Sequence, residues 1–202
     1  MAQERIKINT TFEVRSIGEG AEQQVHLQGY ALTFDNLSED LGGFKEIIKA
    51  GALDSCIMDN VVLNVNHDMD KVLARTNKTD GIGSLKLLVD DKGLFFDAIP
   101  TDTTYSRDLI ANMQAGIIDK CSFAFTLDYD DANAQIWDWG ACDGADLRTI
   151  NKIYEIFDVS IVTNPAYEST SCTSYKRAKA DLEKERDLEM RKRKIKLELE
   201  LI

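Results

Sequence analysis

Two apolar segments joined by a short acidic turn constrain the fold of this chain most strongly. Residues 84–89 alternate apolar and polar side chains, as a half-buried β-strand does, and residues 94–99 form a second, mostly apolar run. The four residues between them, Asp90-Asp91-Lys92-Gly93, have the composition of a tight turn. The pattern predicts an antiparallel hairpin, and therefore a fold that rests largely on β-sheet.

Other segments extend this β-rich prediction. Further strands are predicted at residues 25–34, 61–65, 122–127 and 153–162. A short helix is expected over Leu53–Asp59, and a longer one over Thr103–Ala115. For the longer helix, Asp102 is the expected N-cap and Gly116 the C-terminal stop. Residues 128–148 show neither period and are predicted to be a loop. The fold class expected from these elements is α+β, mostly β.

Charge divides the chain into two parts. The 202 residues carry 35 acidic and 24 basic side chains, a formal net charge of -11. Residues 175–202 hold 10 basic and 7 acidic side chains (+3), so the rest of the chain carries -14. We predict a main domain over residues 1–170 and a charged, helical or mobile tail over residues 171–202. The acidic main domain argues against general nucleic-acid binding, which needs clustered Lys and Arg.

Several classes of protein do not fit the sequence. Residues 1–7 lack the apolar segment of a signal peptide, and no apolar run is long enough to span a membrane. The four cysteines form no Cys-x-x-Cys pair, and the chain has only two histidines. This is too sparse for a zinc ribbon or a disulfide framework, and a reduced, intracellular setting is expected.

Three polar side chains next to predicted strands are candidates for catalysis. His67 follows a strand end, where a general base can be held rigidly, although a surface histidine in a turn is the simpler reading. Ser122 opens a strand and needs a nearby base to become a nucleophile; it could equally just begin the strand. Asp158 interrupts an apolar strand, so it needs a partner if buried, or else faces solvent. The sequence leaves open whether the three side chains meet.

Several short motifs occur in a fixed order between about residues 12 and 170. They include Gly29-Tyr30-Ala31, Gly51-Ala52-Leu53, Leu63-Asn64-Val65-Asn66-His67-Asp68, Leu73-Ala74-Arg75-Thr76, Asp91-Lys92-Gly93-Leu94, Cys121-Ser122-Phe123-Ala124-Phe125 and Asp158-Val159-Ser160-Ile161-Val162-Thr163-Asn164-Pro165. Together these motifs resemble the prohead (capsid maturation) serine proteases of HK97-like tailed phages. That family resembles the herpesvirus assemblins in fold, which implies a closed β-barrel with surrounding helices and, here, the charged C-terminal helix or tail.

The resemblance also implies roles for individual residues. His67 is similar to the family's general base, Ser122 to its nucleophile, and Asp158 to its third member. His26 is the alternative third member, because assemblins use a second histidine. Arg75 is a candidate for a position near the oxyanion. Cys121 is an alternative nucleophile, but neighbouring strand residues face opposite sides, so Cys121 and Ser122 cannot both face His67.

The function implied by the resemblance is a serine endopeptidase of phage head maturation. Its expected substrates and partners are the scaffold and the N-terminal segment of the major capsid protein, with possible self-cleavage and a possible homo-oligomer. No metal, no organic cofactor, and no nucleic-acid or membrane partner is implied. The expected location is the host cytoplasm, inside the assembling prohead. The alternative is a non-enzymatic scaffolding or assembly module on the same barrel, in which His67 and Ser122 need not meet.

Overall fold

The computed structural model describes residues 4–8, 12–17, 24–38, 40–142, 144–163, 188, 190–194 and 196. The strands and the helix of this part are β1 (Glu4–Ile8), β2 (Phe12–Ile17), β3 (Gln24–Thr33), β4 (Phe44–Ile48), β5 (Val62–Val65), β6 (Asp68–Arg75), β7 (Leu85–Val89), β8 (Gly93–Ala98), α1 (Thr104–Gln114), β9 (Lys120–Thr126), β10 (Gln135–Cys142), β11 (Ala145–Ile150) and β12 (Glu155–Val162). The strands form three sheets.

The five-stranded sheet has the strand order β1-β9-β12-β5-β6. Ser122 lies on β9 and Asp158 on β12, and His67 lies in the turn between β5 and β6. Only β12 and β5 run parallel, and the other neighbours are antiparallel. Phe123 and Phe125 of β9 and Val159 and Ile161 of β12 alternate along their strands and belong to the hydrophobic core. The residues between them face the opposite side of the sheet. Because β9 and β12 are interior strands, their side chains are buried on both faces.

The four-stranded sheet, β2-β3-β8-β7, contains the hairpin predicted from the sequence. Strands β7 and β8 pair antiparallel, with Val89 opposite Leu94. The carboxylate of Asp90 accepts hydrogen bonds from the backbone N–H groups of Lys92 (2.8 Å) and Gly93 (3.0 Å), so the acidic residue closes the turn. This hairpin prediction is confirmed.

The predicted closed barrel is wrong. A barrel requires every strand to pair on both sides, whereas each of the three sheets ends in edge strands. Between β6 of the large sheet and β7, the described residues form one isolated bridge, from Arg75 to Ser84, instead of a ladder. Alternation along a strand indicates which face is buried but not which edges pair, so the sequence could not distinguish open sheets from a closed barrel. The mostly-β character of the prediction fits in part.

The ring of helices expected with the barrel is also absent from the described residues up to 163. These residues form the single helix α1. Its N-cap is Thr103, whose hydroxyl accepts the Ser106 N–H, and not Asp102 as predicted. The helix predicted over Leu53–Asp59 is wrong: residues 50–55 form turns, and Ile57 bridges to Glu155. Ala52 and Leu53 are buried in the core from these turns, so tertiary packing outweighs the local helical pattern.

The third sheet, β10-β11-β4, corrects the prediction of a loop over residues 128–148. Strands β10 and β11 form a hairpin there, and β11 pairs in parallel with β4. Trp137 of β10 contacts Phe44 edge to face and stacks on Trp139. Residues 188, 190–194 and 196 are helical and exposed. Residues 164–187 lie outside the described residues, so the domain boundary at residue 170 stays a prediction.

Candidate active site

The tight turn between β5 and β6 carries His67. Val65 pairs with Asp68, so Asn66 and His67 form a two-residue loop, and both have positive φ angles, 53° and 57°. Two left-handed residues in a two-residue hairpin loop define a type I′ turn, whose preferred sequence is Asn-Gly. Histidine stands here in the position that glycine usually fills. The turn brings the imidazole to the sheet face that carries Ser122 and Asp158.

Ser122 reaches the same face from the interior strand β9. It lies directly opposite Ser160 of β12, and Ser160 lies opposite Asn64 of β5. These three polar residues therefore form one row across the sheet, and all are buried. Cys121, the alternative nucleophile, belongs to the hydrophobic core on the other face. The expectation that only one of the two neighbours can face His67 agrees with this placement.

The imidazole of His67 bridges the other two candidates. Its Nε2 atom lies 2.8 Å from Oγ of Ser122, and its Nδ1 atom lies 2.7 Å from Oδ1 of Asp158. The His67 side chain is 8% exposed and that of Asp158 is fully buried. The structure thus brings together the three residues that the sequence analysis selected. The bridge spans 55 residues of chain to Ser122 and 91 to Asp158.

The two hydrogen bonds determine which ring nitrogen holds the proton. A carboxylate only accepts hydrogen bonds, so Nδ1 of His67 carries the proton and donates a hydrogen bond to Oδ1 of Asp158. The lone pair of Nε2 then faces Ser122, whose hydroxyl donates to it. A base that holds a hydroxyl in this way, and is itself oriented by a buried carboxylate, has the geometry required for nucleophilic catalysis by serine.

His26 and Arg75 lie in other arrangements. Nδ1 of His26 is 2.7 Å from Oδ1 of Asp97, and both residues belong to the four-stranded sheet. The position next to His67 is taken by Asp158, so the geometry favours Asp158 as the third member. Arg75 is exposed and donates from Nε to Oδ1 of Asn60 at 2.7 Å. That hydrogen bond directs the guanidinium towards the Asn60 side chain.

Two supporting residues were not selected from the sequence. Ser160 accepts the backbone N–H of His67 at 2.7 Å, and Oδ1 of Asn66 accepts the backbone N–H of Thr163 at 3.0 Å. Together these bonds tie the β5–β6 turn to the end of β12. The sequence features that could have indicated them are the Asn66-His67 pair, which has the form of a hairpin turn after a predicted strand, and Ser160, which lies two residues after Asp158 on the same strand face.

The described part of the chain contains no group of three or more His, Cys, Asp or Glu side chains placed to hold a metal ion. Nor does it contain a helix long and apolar enough to cross a membrane.

The chain is similar in structure to the bacteriophage T4 capsid assembly protease, gp21, at 11% sequence identity and a TM-score of 0.49. That similarity covers 79% of this chain and 96% of the other. No curated protein sequence matches the chain significantly.

A sequence profile of the family described as "Caudovirus prohead serine protease" matches residues 10–185. The matched segment covers most of the 202 residues and includes His67, Ser122 and Asp158. The resemblance deduced from the ordered motifs is confirmed. This chain belongs to the Caudovirus prohead serine protease family.

Proposed function

We propose that this chain is a serine endopeptidase of phage head maturation in which Ser122 is the nucleophile. The observation that carries the proposal is the 2.8 Å contact between Oγ of Ser122 and Nε2 of His67. This contact is within the reach required for general-base activation of a hydroxyl. Membership of the prohead serine protease family supports the same chemistry.

The reaction follows from the two hydrogen bonds of the imidazole. Nε2 of His67 accepts the Ser122 proton as Oγ attacks the scissile carbonyl carbon, and the imidazolium then protonates the leaving amine. Asp158 Oδ1, 2.7 Å from Nδ1, stabilises the positive charge on the ring in between. Attack by water, again with His67 as the base, releases the acyl group and restores the Ser122 hydroxyl.

We further propose that the substrates are the scaffold and the N-terminal segment of the major capsid protein, cut inside the assembling prohead in the host cytoplasm. The family description supports a role in the prohead, and the solved capsid assembly protease is named for the same process. The charged tail is a proposed site of self-cleavage, because its described residues 188, 190–194 and 196 are exposed and exposed chain segments are readily cut.

The geometry disfavours the alternative of a non-enzymatic assembly module. Such a module has no need for a serine, a histidine and a carboxylate in one hydrogen-bonded series. Asp158 is 0% exposed, and a carboxylate buried beside an imidazole contributes little net stability, so a purely structural module gains little from the pair. A catalytic role accounts for this arrangement directly.

The proposed function is tested by co-expressing the chain with the scaffold and capsid protein, and by mapping the products by mass spectrometry. Wild type is expected to cleave, and Ser122→Ala and His67→Ala are expected to abolish cleavage while the protein remains folded. Cys121→Ala is the matched control, since it alters the neighbouring residue on the other face of the strand. Cleavage by Ser122→Ala, or its loss in a folded Cys121→Ala, contradicts Ser122 as the nucleophile.

A further inference from the structure

The backbone at His67 is conformationally strained. Asn66 and His67 both lie in the left-handed region, at φ 53° and 57°. Asparagine and histidine occupy this region more readily than most residues, but the conformation persists only where surrounding contacts enforce it. A general base in such a position needs anchors on its own backbone.

The ring partners of His67 provide little of this anchoring. The hydroxyl of Ser122 can rotate about its Cβ–Oγ bond. Within the described part of the chain, Oδ2 of Asp158 is buried without a hydrogen-bond partner, so the hydrogen bond of this carboxylate is the one it makes to the imidazole. Asp158 therefore orients Nδ1 of the ring through one hydrogen bond, which does not fix the left-handed backbone of His67. That backbone needs an anchor of its own.

Ser160 provides an anchor for the backbone of His67. Its Oγ accepts the backbone N–H of His67 at 2.7 Å and lies 3.4 Å from the backbone carbonyl oxygen of Asn64, to which it can donate. A hydroxyl has one proton and two lone pairs, so donation to Asn64 turns a lone pair towards His67. Ser160 is fully buried in the interior strand β12, two residues from Asp158 on the same face. One rigid strand thus holds both the carboxylate and the backbone anchor of the base.

We propose that Ser160 is a positioning residue for catalysis, which fixes the left-handed backbone of His67 and thereby aims Nε2 at Ser122. This inference rests on the proposed function and extends it to a residue outside the Ser122–His67–Asp158 group. Ser160 touches neither the reacting atoms nor the substrate in this assignment. Its effect passes through the His67 N–H group.

The test compares Ser160→Ala with Ser160→Thr and with Ser106→Ala. Ser160→Ala removes the acceptor, and Ser160→Thr keeps a hydroxyl on a side chain that suits a strand. Ser106→Ala is the matched control, because Ser106 is equally buried but its Oγ has no partner within the described residues. For each variant, kcat and KM are measured on the capsid segment. The proton resonance of the His67 Nδ1–H group is recorded by NMR in a Ser122→Ala background, which prevents self-cleavage.

Ser160→Ala is expected to lower kcat by about a hundredfold, the scale of a small misplacement of a catalytic group, with a smaller change in KM. The Nδ1–H resonance is expected to shift or broaden. Ser160→Thr should restore both quantities, and Ser106→Ala should leave both unchanged. If Ser160→Ala does not fold, Ser160→Cys provides the same test, because a thiol is a weak acceptor of similar size.

Wild-type kcat together with an unchanged Nδ1–H resonance in Ser160→Ala overturns the inference. A loss of kcat with an unchanged resonance also overturns it, since the effect would then not pass through His67. If the wild-type protein cleaves no capsid or scaffold segment, the proposed function fails. The resonance still decides in that case whether Ser160 positions the imidazole.

Discussion

Nδ1 of His67 lies 2.7 Å from Oδ1 of Asp158, a carboxylate that is completely buried in the interior strand β12. The contact joins a turn between β5 and β6 to the parallel neighbour of β5. It orients the imidazole with its other nitrogen towards Ser122, and it compensates a charge that would otherwise be costly in the interior. The site therefore depends on how these strands are arranged as much as on the three side chains.

Asp158→Asn is expected to lower the rate of cleavage by about ten-thousand-fold, the scale known for replacement of a triad aspartate. The amide can donate to Nδ1 and so favours the tautomer with its proton on Nε2, which cannot accept the Ser122 proton. Asp97→Asn is the matched control, because Asp97 contacts Nδ1 of His26 at the same 2.7 Å distance in another sheet. It should retain activity. A loss below tenfold in Asp158→Asn would point to a different third member.

His67→Gly and His67→Ala are both expected to be inactive but to differ in stability. Each loses the imidazole, while only alanine keeps a Cβ atom at φ 57°. Glycine should therefore give the higher free energy of unfolding, by about 1 kcal/mol, which urea titration can resolve. At His26, on a regular strand, the order should reverse and alanine should be the more stable. Equal stability of the two His67 variants would contradict a strained turn.

Removal of one partner of the buried Glu46–Arg148 ion pair is expected to destabilise the three-stranded sheet. Nη1 of Arg148 lies 2.9 Å from Oε2 of Glu46, both side chains are nearly fully buried, and the two residues are paired between β11 and β4. Glu46→Ala removes the carboxylate that neutralises a buried guanidinium, which keeps its hydrogen bond to Gln135, at a cost of about 3–5 kcal/mol. Thermal or urea unfolding measures the loss.

The exposed Arg107–Asp102 pair is the control for that experiment. Asp102→Ala should leave the unfolding midpoint nearly unchanged, because water solvates both charges once the pair is separated. An equally small effect of Glu46→Ala would show that Arg148 finds other compensation in the variant.

Local patterns account for the elements that the sequence predicted well. The β7–β8 hairpin follows from two apolar runs joined by a turn rich in Asp and Gly, and α1 follows from a 3.6-residue apolar period with a stop at Gly116. These signals involve residues close together in the chain. Strand β10 was missed because its exposed side is broken by Gly140, while its half-buried side combines Gln135 with Trp137 and Trp139, which stack on each other, and Trp137 also contacts Phe44 of β4. Such contacts leave no local period to detect.

The sequence by itself determined a mostly-β chain of the prohead serine protease family and selected His67, Ser122 and Asp158 through residue type, position next to strands, and resemblance. Only the tertiary structure decided that the sheets are open and that the three side chains meet. The reason is that strand pairing links residues 55 and 91 positions apart, and no local pattern encodes which edges pair. The tertiary structure also revealed the left-handed turn at His67 and the hydrogen bond from its backbone to Ser160, which joins residues 93 positions apart.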